Sequence, residues 1–148
     1  MSRRVMRGFQ PEKLESARRA AGISQAELGR IVRIKAETVR RWEQGSSSPQ
    51  VDLLARVVDA IGVTIADVVH VPEGERYPGD WRVLRGLTQP LLGAEAGVTT
   101  QTVGSVERGE ISLSDNVAHK LSAALGIPES ELRASYERVR DRPAGSSA

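Results

Sequence analysis

Apolar residues recur along this 148-residue chain at three- and four-residue steps and are cut off repeatedly by glycine, the pattern of short amphipathic helices joined by tight turns. Pro11 suits a first helical turn, and Leu14, Ala17, Arg18 and Ala21 follow at helical spacing until Gly22 stops the run. Ser24 then caps a second helix, with Glu27 closing a capping box and Leu28, Ile31 and Val32 forming its apolar stripe. After a turn at Arg33-Ile34, a third helix is predicted from about Ala36 to Gln44, ended by Gly45 and the loop Ser46-Ser47-Ser48-Pro49. Val51 to Ile61 makes a fourth, closed by Gly62, and Thr64 to Val69 a short fifth.

The same pattern returns sixty-four positions later without a gap. Gly22-Ile23-Ser24-Gln25 falls on Gly86-Leu87-Thr88-Gln89, and Thr38-Val39 with Glu43 and Gly45 falls on Thr102-Val103 with Glu107 and Gly109. Over residues 22–69 against 86–133 there are eleven identities in forty-eight. Their placement carries more than their number: turn glycines, the glutamine of helix two, the core pair Leu28/Leu92 and the Thr-Val entry to helix three. In the second copy a shortened helix runs from about Asp80 to Arg85, and Pro90 is tolerable because it lies in the first turn of its helix. A charged helix after Leu132 is expected to run to about Arg140. The expected organisation is a basic arm over residues 1–8, a first domain over 9–70, a polar linker over 71–79, a second domain over 80–141 and a disordered tail over 142–148.

Composition narrows the chemistry. Modules of roughly 60 residues fold alone only marginally, and 39% apolar content suits two small cores. There is no cysteine, and His70 and His119 lack the paired spacing that zinc requires, so neither a disulfide framework nor a metal or other cofactor is expected. No stretch approaches a membrane span and the basic start has no apolar run behind it, which points to the cytoplasm and, for a DNA binder, to the nucleoid. Charge is shared unevenly. Residues 1–71 hold twelve Lys/Arg against eight Asp/Glu, and residues 72–148 nine against eleven, or +4 against −2. A polyanion would be drawn chiefly to the first half.

On the third helix Val39 and Trp42 share one face and are expected to pack inward, leaving Ala36, Glu37, Arg40, Arg41 and Gln44 on the other. Two adjacent arginines there can fork onto guanine O6 and N7 or clamp phosphates, and Lys35 adds a third cation. Glu37 can accept from cytosine N4 or repel phosphate and sharpen register. Gln25 opens helix two, where side chain and backbone amides can hold a phosphate. Ser24 and Thr88 are caps first and phosphate contacts second.

The run Ile23-Ser24-Gln25-Ala26-Glu27-Leu28, followed by Glu37-Thr38-Val39-Arg40-Arg41-Trp42-Glu43-Gln44-Gly45, resembles the Cro and repressor type of helix-turn-helix domain (the XRE family) over residues 10–69, and more weakly over 80–133. The resemblance implies an all-α fold of two tandem five-helix, lambda-repressor-like bundles joined by a short linker. It also implies a bacterial or phage-type transcriptional regulator, a non-enzymatic repressor-like protein whose third helix enters the major groove of double-stranded DNA. The residues it places on DNA are Ser24, Gln25, Lys35, Ala36, Glu37, Thr38, Arg40, Arg41 and Gln44. Family members pair the residues matching Arg18 and Glu43, and so Arg82 and Glu107, as ions that tie helix one to helix three, and their glutamine matching Gln25 braces the recognition helix. Arg33 and Lys35 stand where the family's turn glycine and small capping residue belong.

The second copy departs on the face that matters: Thr99, Thr100, Gln101, Gly104 and Ser105 replace Lys35, Ala36, Glu37, Arg40 and Arg41, so no outward cation is expected there. Thr88, Gln89, Thr99, Thr100, Gln101 and Ser105 can still contact bases or phosphate. Glycine inside a helix costs about 1 kcal/mol relative to alanine, so Gly104 marks close backbone approach or relaxed constraint. Either both copies bind adjacent half-sites, or the first binds DNA while the second makes a homodimer; charge favours the latter, and a linker of about ten residues reaches roughly 30 Å, which excludes neither. The rival of another class is an antitoxin or adaptor that binds protein, against which the paired cations Arg40-Arg41 argue. The basic arm Arg3-Arg4-Arg7 is a candidate for the minor groove or a disordered start.

Overall fold

The computed structural model describes residues 6–145. Arg3 and Arg4 of the arm and residues 146–148 of the expected tail lie outside them. The chain divides into two compact units, 1–70 and 71–148. No helix among the described residues is long and apolar enough to cross a membrane.

In the first unit four α-helices follow one another: α1 (Pro11–Ala20), α2 (Gln25–Val32), α3 (Ala36–Glu43) and α4 (Val51–Ile61). Proline at its first turn starts α1, and Ser24 Oγ accepts the Glu27 amide at 3.0 Å to start α2. Leu14, Leu28, Val39, Leu54, Val57 and Val68 are fully buried at the centre, each side chain contributing roughly 2 kcal/mol of hydrophobic burial. The expected fifth helix is a single 3₁₀ turn, Ile65–Asp67. Thr64 and Asp67 close the turn on each other, with the Thr64 amide donating to Asp67 Oδ2 at 2.8 Å. The chain beyond is then claimed by the residues ahead of α1: the Gln10 amide donates to the Val68 carbonyl at 2.8 Å and the His70 amide to the Gly8 carbonyl at 2.9 Å. That pairing, with an antiparallel bridge between Phe9 and Val69, holds the backbone extended where a helix would have continued.

The second unit contains α5 (Pro78–Leu84), α6 (Gln89–Ala96), α7 (Thr100–Glu107), α8 (Asp115–Leu125) and α9 (Glu129–Arg140). α5 begins two residues before its expected start, because Pro78 fills the first turn and the Tyr77 amide donates to Asp80 Oδ2 at 2.8 Å. Residues 71–79 are packed. Val71 is buried, Glu73–Glu75 form a 3₁₀ turn, and Arg76 donates to the Val71 carbonyl at 2.9 Å while its guanidinium lies 4.5 Å above the Trp81 ring. The core joins Leu92, Val103, Val106, Leu121, Leu132 and Tyr136, with Trp81 partly buried against it.

Candidate nucleic-acid interface

The best-built feature of each unit is a brace between its first and third helices. Arg18 donates from Nε to Glu43 Oε2 at 2.6 Å and from Nη2 to Oε1 at 2.8 Å, and its Nη1 reaches the Ile23 carbonyl at 2.9 Å. Gln25 Nε2 adds a fourth bond, to Glu43 Oε1 at 3.0 Å. In the second unit Arg82 donates to Glu107 at 2.6 and 3.0 Å and to the Leu87 carbonyl at 2.9 Å, and Gln89 Nε2 reaches Glu107 Oε1 at 3.0 Å. Both networks fix the end of α1 or α5, the following turn, the start of α2 or α6, and the end of α3 or α7. Burial alone would push the Glu43 carboxyl up, but hydrogen bonds from Arg18 and Gln25, with the Arg18 charge, hold it below the usual carboxylate range; the bond from Glu43 in turn raises Arg18. The side chains of Gln25 and Gln89 are thereby committed to the brace, so a phosphate at the start of α2 or α6 would meet backbone amides first.

Between α2 and α3 the turn is close-packed. A Cβ on Gly29 would stand 2.7 Å from the Ile34 carbonyl oxygen and 3.2 Å from the Ala36 nitrogen, and one on Gly93 would stand 2.8 Å from the Val98 oxygen. Only glycine lets the turn backbone lie on the helix there. These two residues are sixty-four apart like the rest, yet neither turn geometry nor periodicity in the sequence signals their role. Arg33 ends α2 in the left-handed conformation (φ 62°) where the second unit has Gly97 (φ 75°). Lys35 makes no side-chain cap on α3, whereas Thr99 Oγ1 accepts the Thr102 amide at 3.0 Å.

With α3 so held, Val39 and Trp42 are buried, and Lys35, Ala36, Glu37, Arg40, Arg41 and Gln44 are exposed on the opposite face, with Thr38 half-buried. Arg40 and Arg41 both lean on Glu37: Arg40 forks onto its two oxygens, through Nε at 2.7 Å and Nη2, and Arg41 Nε stands 3.4 Å from Oε1. Their side chains stay 46% and 60% exposed, so the carboxylate holds the guanidinium groups on the surface without covering them. The hydrogen bond from Arg40 lowers the Glu37 carboxyl, and the same bond raises Arg40. A pair this exposed competes with water and salt and is readily exchanged for a stronger anion.

The second unit corrects one expectation. An outward cation does stand on the outer face of the second unit, contributed from one turn further along. Thr88 caps α6 by accepting the Leu91 amide at 3.2 Å, and Thr99, Thr100 and Gln101 are exposed at the start of α7, with Ser105 half-buried. Gly104, however, is buried, because Arg108 folds back over it: a Cβ there would lie 3.0 Å from Arg108 Nη1 and 3.6 Å from Gln89 Oε1. Arg108 occupies the position of Gln44, and its Nε donates to Glu110 Oε1 at 2.8 Å. The signal was a glycine and an arginine four apart on one helix, hence on one face.

Compared with known proteins, the chain matches the family described as helix-turn-helix twice, over residues 14–68 and 80–132. No curated protein gives a match.

Proposed function

The chain belongs to the helix-turn-helix family, of the Cro and repressor type, and on that premise we propose that its first unit reads a specific site in the major groove of double-stranded DNA through α3. The observation that carries this reading is the pair Arg40 and Arg41, exposed side by side and oriented by Glu37 on a helix whose other face is locked into the core. Each guanidinium keeps N–H groups beyond those given to Glu37, enough for a guanine edge or a phosphate. Lys35 and Gln44 flank them at the two ends of α3, and Ser24, Gln25 and Thr38 border the start of α2 and the inner edge of α3. The chemistry is recognition, non-enzymatic, and the role is regulation of transcription.

The second unit takes the second half-site. Support comes from its identical brace and from Arg108, which restores a guanidinium to the face that sequence had left without one. Self-association through the second unit is the competing reading, favoured by its net −2 and by Leu91, which is 48% exposed at the start of α6.

Selection of bound sequences from random duplexes tests both. Two unlike half-sites are expected; a palindrome, with sedimentation showing a dimer, favours self-association. Arg40→Ala with Arg41→Ala is expected to abolish specific binding at physiological salt while helical content is kept, and unchanged affinity in a gel shift overturns the assignment.

A further inference from the structure

At the C-terminal end of α7 three arginines converge. Arg108, Gly109, Arg140 and Arg142, with residues 143–145, line an open recess of about 360 Å³. Glycine is needed where α9 comes closest, since a Cβ on Gly109 would stand 3.0 Å from Arg140 Cγ and 3.4 Å from Val139 Cγ1. Cations at helix ends complement the helix dipole, and Arg142 does so directly, its Nη1 donating to the carbonyls of Arg108 at 3.1 Å and Val139 at 2.5 Å. That accounts for Arg142 alone. Arg140 is steadied by Tyr136, whose hydroxyl accepts from its Nη1 at 3.2 Å, and Arg108 by Glu110 at 2.8 Å. The hydrogen bond from Arg108 lowers the Glu110 carboxyl, with the charge of Arg142 adding to it. Glu110 thus faces two guanidinium groups, Arg108 through a hydrogen bond and Arg142 through its charge, inside a unit whose net charge is −2.

The first unit borders the same point of its fold with a different part of the chain. There the glycine after α3, Gly45, has Pro11 Cγ at 3.7 Å from a Cβ position, and Ser48 Oγ accepts the Met6 amide at 2.7 Å. So the end of the recognition helix meets the chain's N-terminal segment in one unit and Arg140 and Arg142 in the other.

We propose that this recess takes a phosphate group of the duplex backbone, beside the bases facing α7. The proposal rests on the DNA-binding reading above. Guanidinium groups that fork onto phosphate oxygens suit the ligand, and a carbonyl-capped Arg142 keeps the floor of the recess in place. The salt dependence of duplex affinity tests it in the full chain, since each phosphate contact contributes about 0.9 to the slope of log K against log salt. In Arg108→Gln with Arg140→Gln, the slope is expected to fall by about 0.9, the share of one phosphate, and affinity at physiological salt by about tenfold or more, on every duplex sequence alike. Lysine at both positions should restore most of the slope. A folded double variant, by its thermal melt, with unchanged slope and affinity overturns the proposal. The free-anion source is separated by NMR titration with inorganic phosphate against chloride at equal ionic strength. Saturating shifts at Arg108 and Gly109 that vanish in the double variant, while duplex affinity stays the same, assign the recess to a free anion and overturn the backbone phosphate. Should the unmodified chain fail to bind any duplex, the DNA reading itself falls and the backbone source with it, whereas loss confined to the Arg40 and Arg41 variant leaves the recess to stand or fall on its own slope.

Discussion

At the scale of single residues, glycines in equivalent helices have opposite reasons for being glycine. Gly29 lies under the backbone of the turn, and neither the Ile34 oxygen nor the Ala36 nitrogen can retreat without unmaking the turn. Gly29→Ala is therefore expected to destabilise the first unit by about 1–3 kcal/mol, as overpacking does, read as a lowered melting temperature by circular dichroism. Gly104 lies only under the far end of Arg108, a flexible side chain that gives way by a few tenths of an ångström. Gly104→Ala should instead stabilise the second unit by up to about 1 kcal/mol through helix propensity, and a lowered melting temperature would contradict the placement of Arg108. Arg33 falls between these cases: it holds a left-handed φ of 62° with a side chain, so Arg33→Gly should raise stability by about 1 kcal/mol in the same measurement. The identity of Gly29 with Gly93 was legible in the sequence, but its cause was not, because the atoms that forbid a side chain belong to a turn five to seven residues away. The reverse holds for Arg40 and Arg41, whose exposure followed from helical spacing alone, while their shared partner Glu37 needed rotamers that spacing does not fix.

At the scale of elements, the brace between first and third helices is what fixes the third helix, the one proposed to read DNA. Arg18 and Glu43 are nearly inaccessible, with side chains 7% and 2% exposed, so removal of one partner leaves a charge stranded. Glu43→Ala is expected to cost about 3 kcal/mol or more. The pH dependence follows from the direction in which Glu43 is shifted. Its carboxyl titrates lower in the folded chain than in the unfolded one, so the stability it contributes is complete above the unfolded value of about 4.3 and is lost as pH falls through the folded value. Urea unfolding of the first unit should therefore weaken below about pH 4.3, and Glu43→Gln should remove part of that slope; an unaltered acid limb would mean the pair is not coupled to folding. Element existence was readable from periodicity and caps, and the exchange of large residues shows why the two copies diverge without losing the fold. The tryptophan sits on the third helix in one copy, Trp42, where the other has Val106, and on the first helix in the other, Trp81, where the first copy has Ala17. The 3₁₀ turn at Ile65–Asp67 was the exception, since its length is set by pairing with Gly8 and Gln10, more than fifty residues away in the chain.

At the scale of the whole molecule, the question is whether two units on one chain act as one ligand for DNA. Each has its own core, its own brace and its own exposed guanidinium groups, so each can be disabled without the other. Residues 71–79 are held down by the Arg76 bond to Val71 and by Arg138, whose Nη1 donates to the Arg76 carbonyl at 2.7 Å, so little of that stretch is left to act as a free tether. A short tether gives the second binding event a high effective concentration, on the order of millimolar, which falls as roughly the −3/2 power of length. Lengthening the connection between His70 and Val71 with a Gly-Ser segment of about ten residues should then weaken binding to a duplex carrying both half-sites by at least about threefold, while leaving a single half-site untouched. If the second unit serves only to join two chains, the connection bridges the half-sites only within the dimer, so the weakening is then seen only at protein concentrations where the chain is dimeric, whereas a single chain with two reading units shows it at any concentration. Fluorescence anisotropy on the two duplexes, at one salt concentration and across protein concentrations, separates the outcomes.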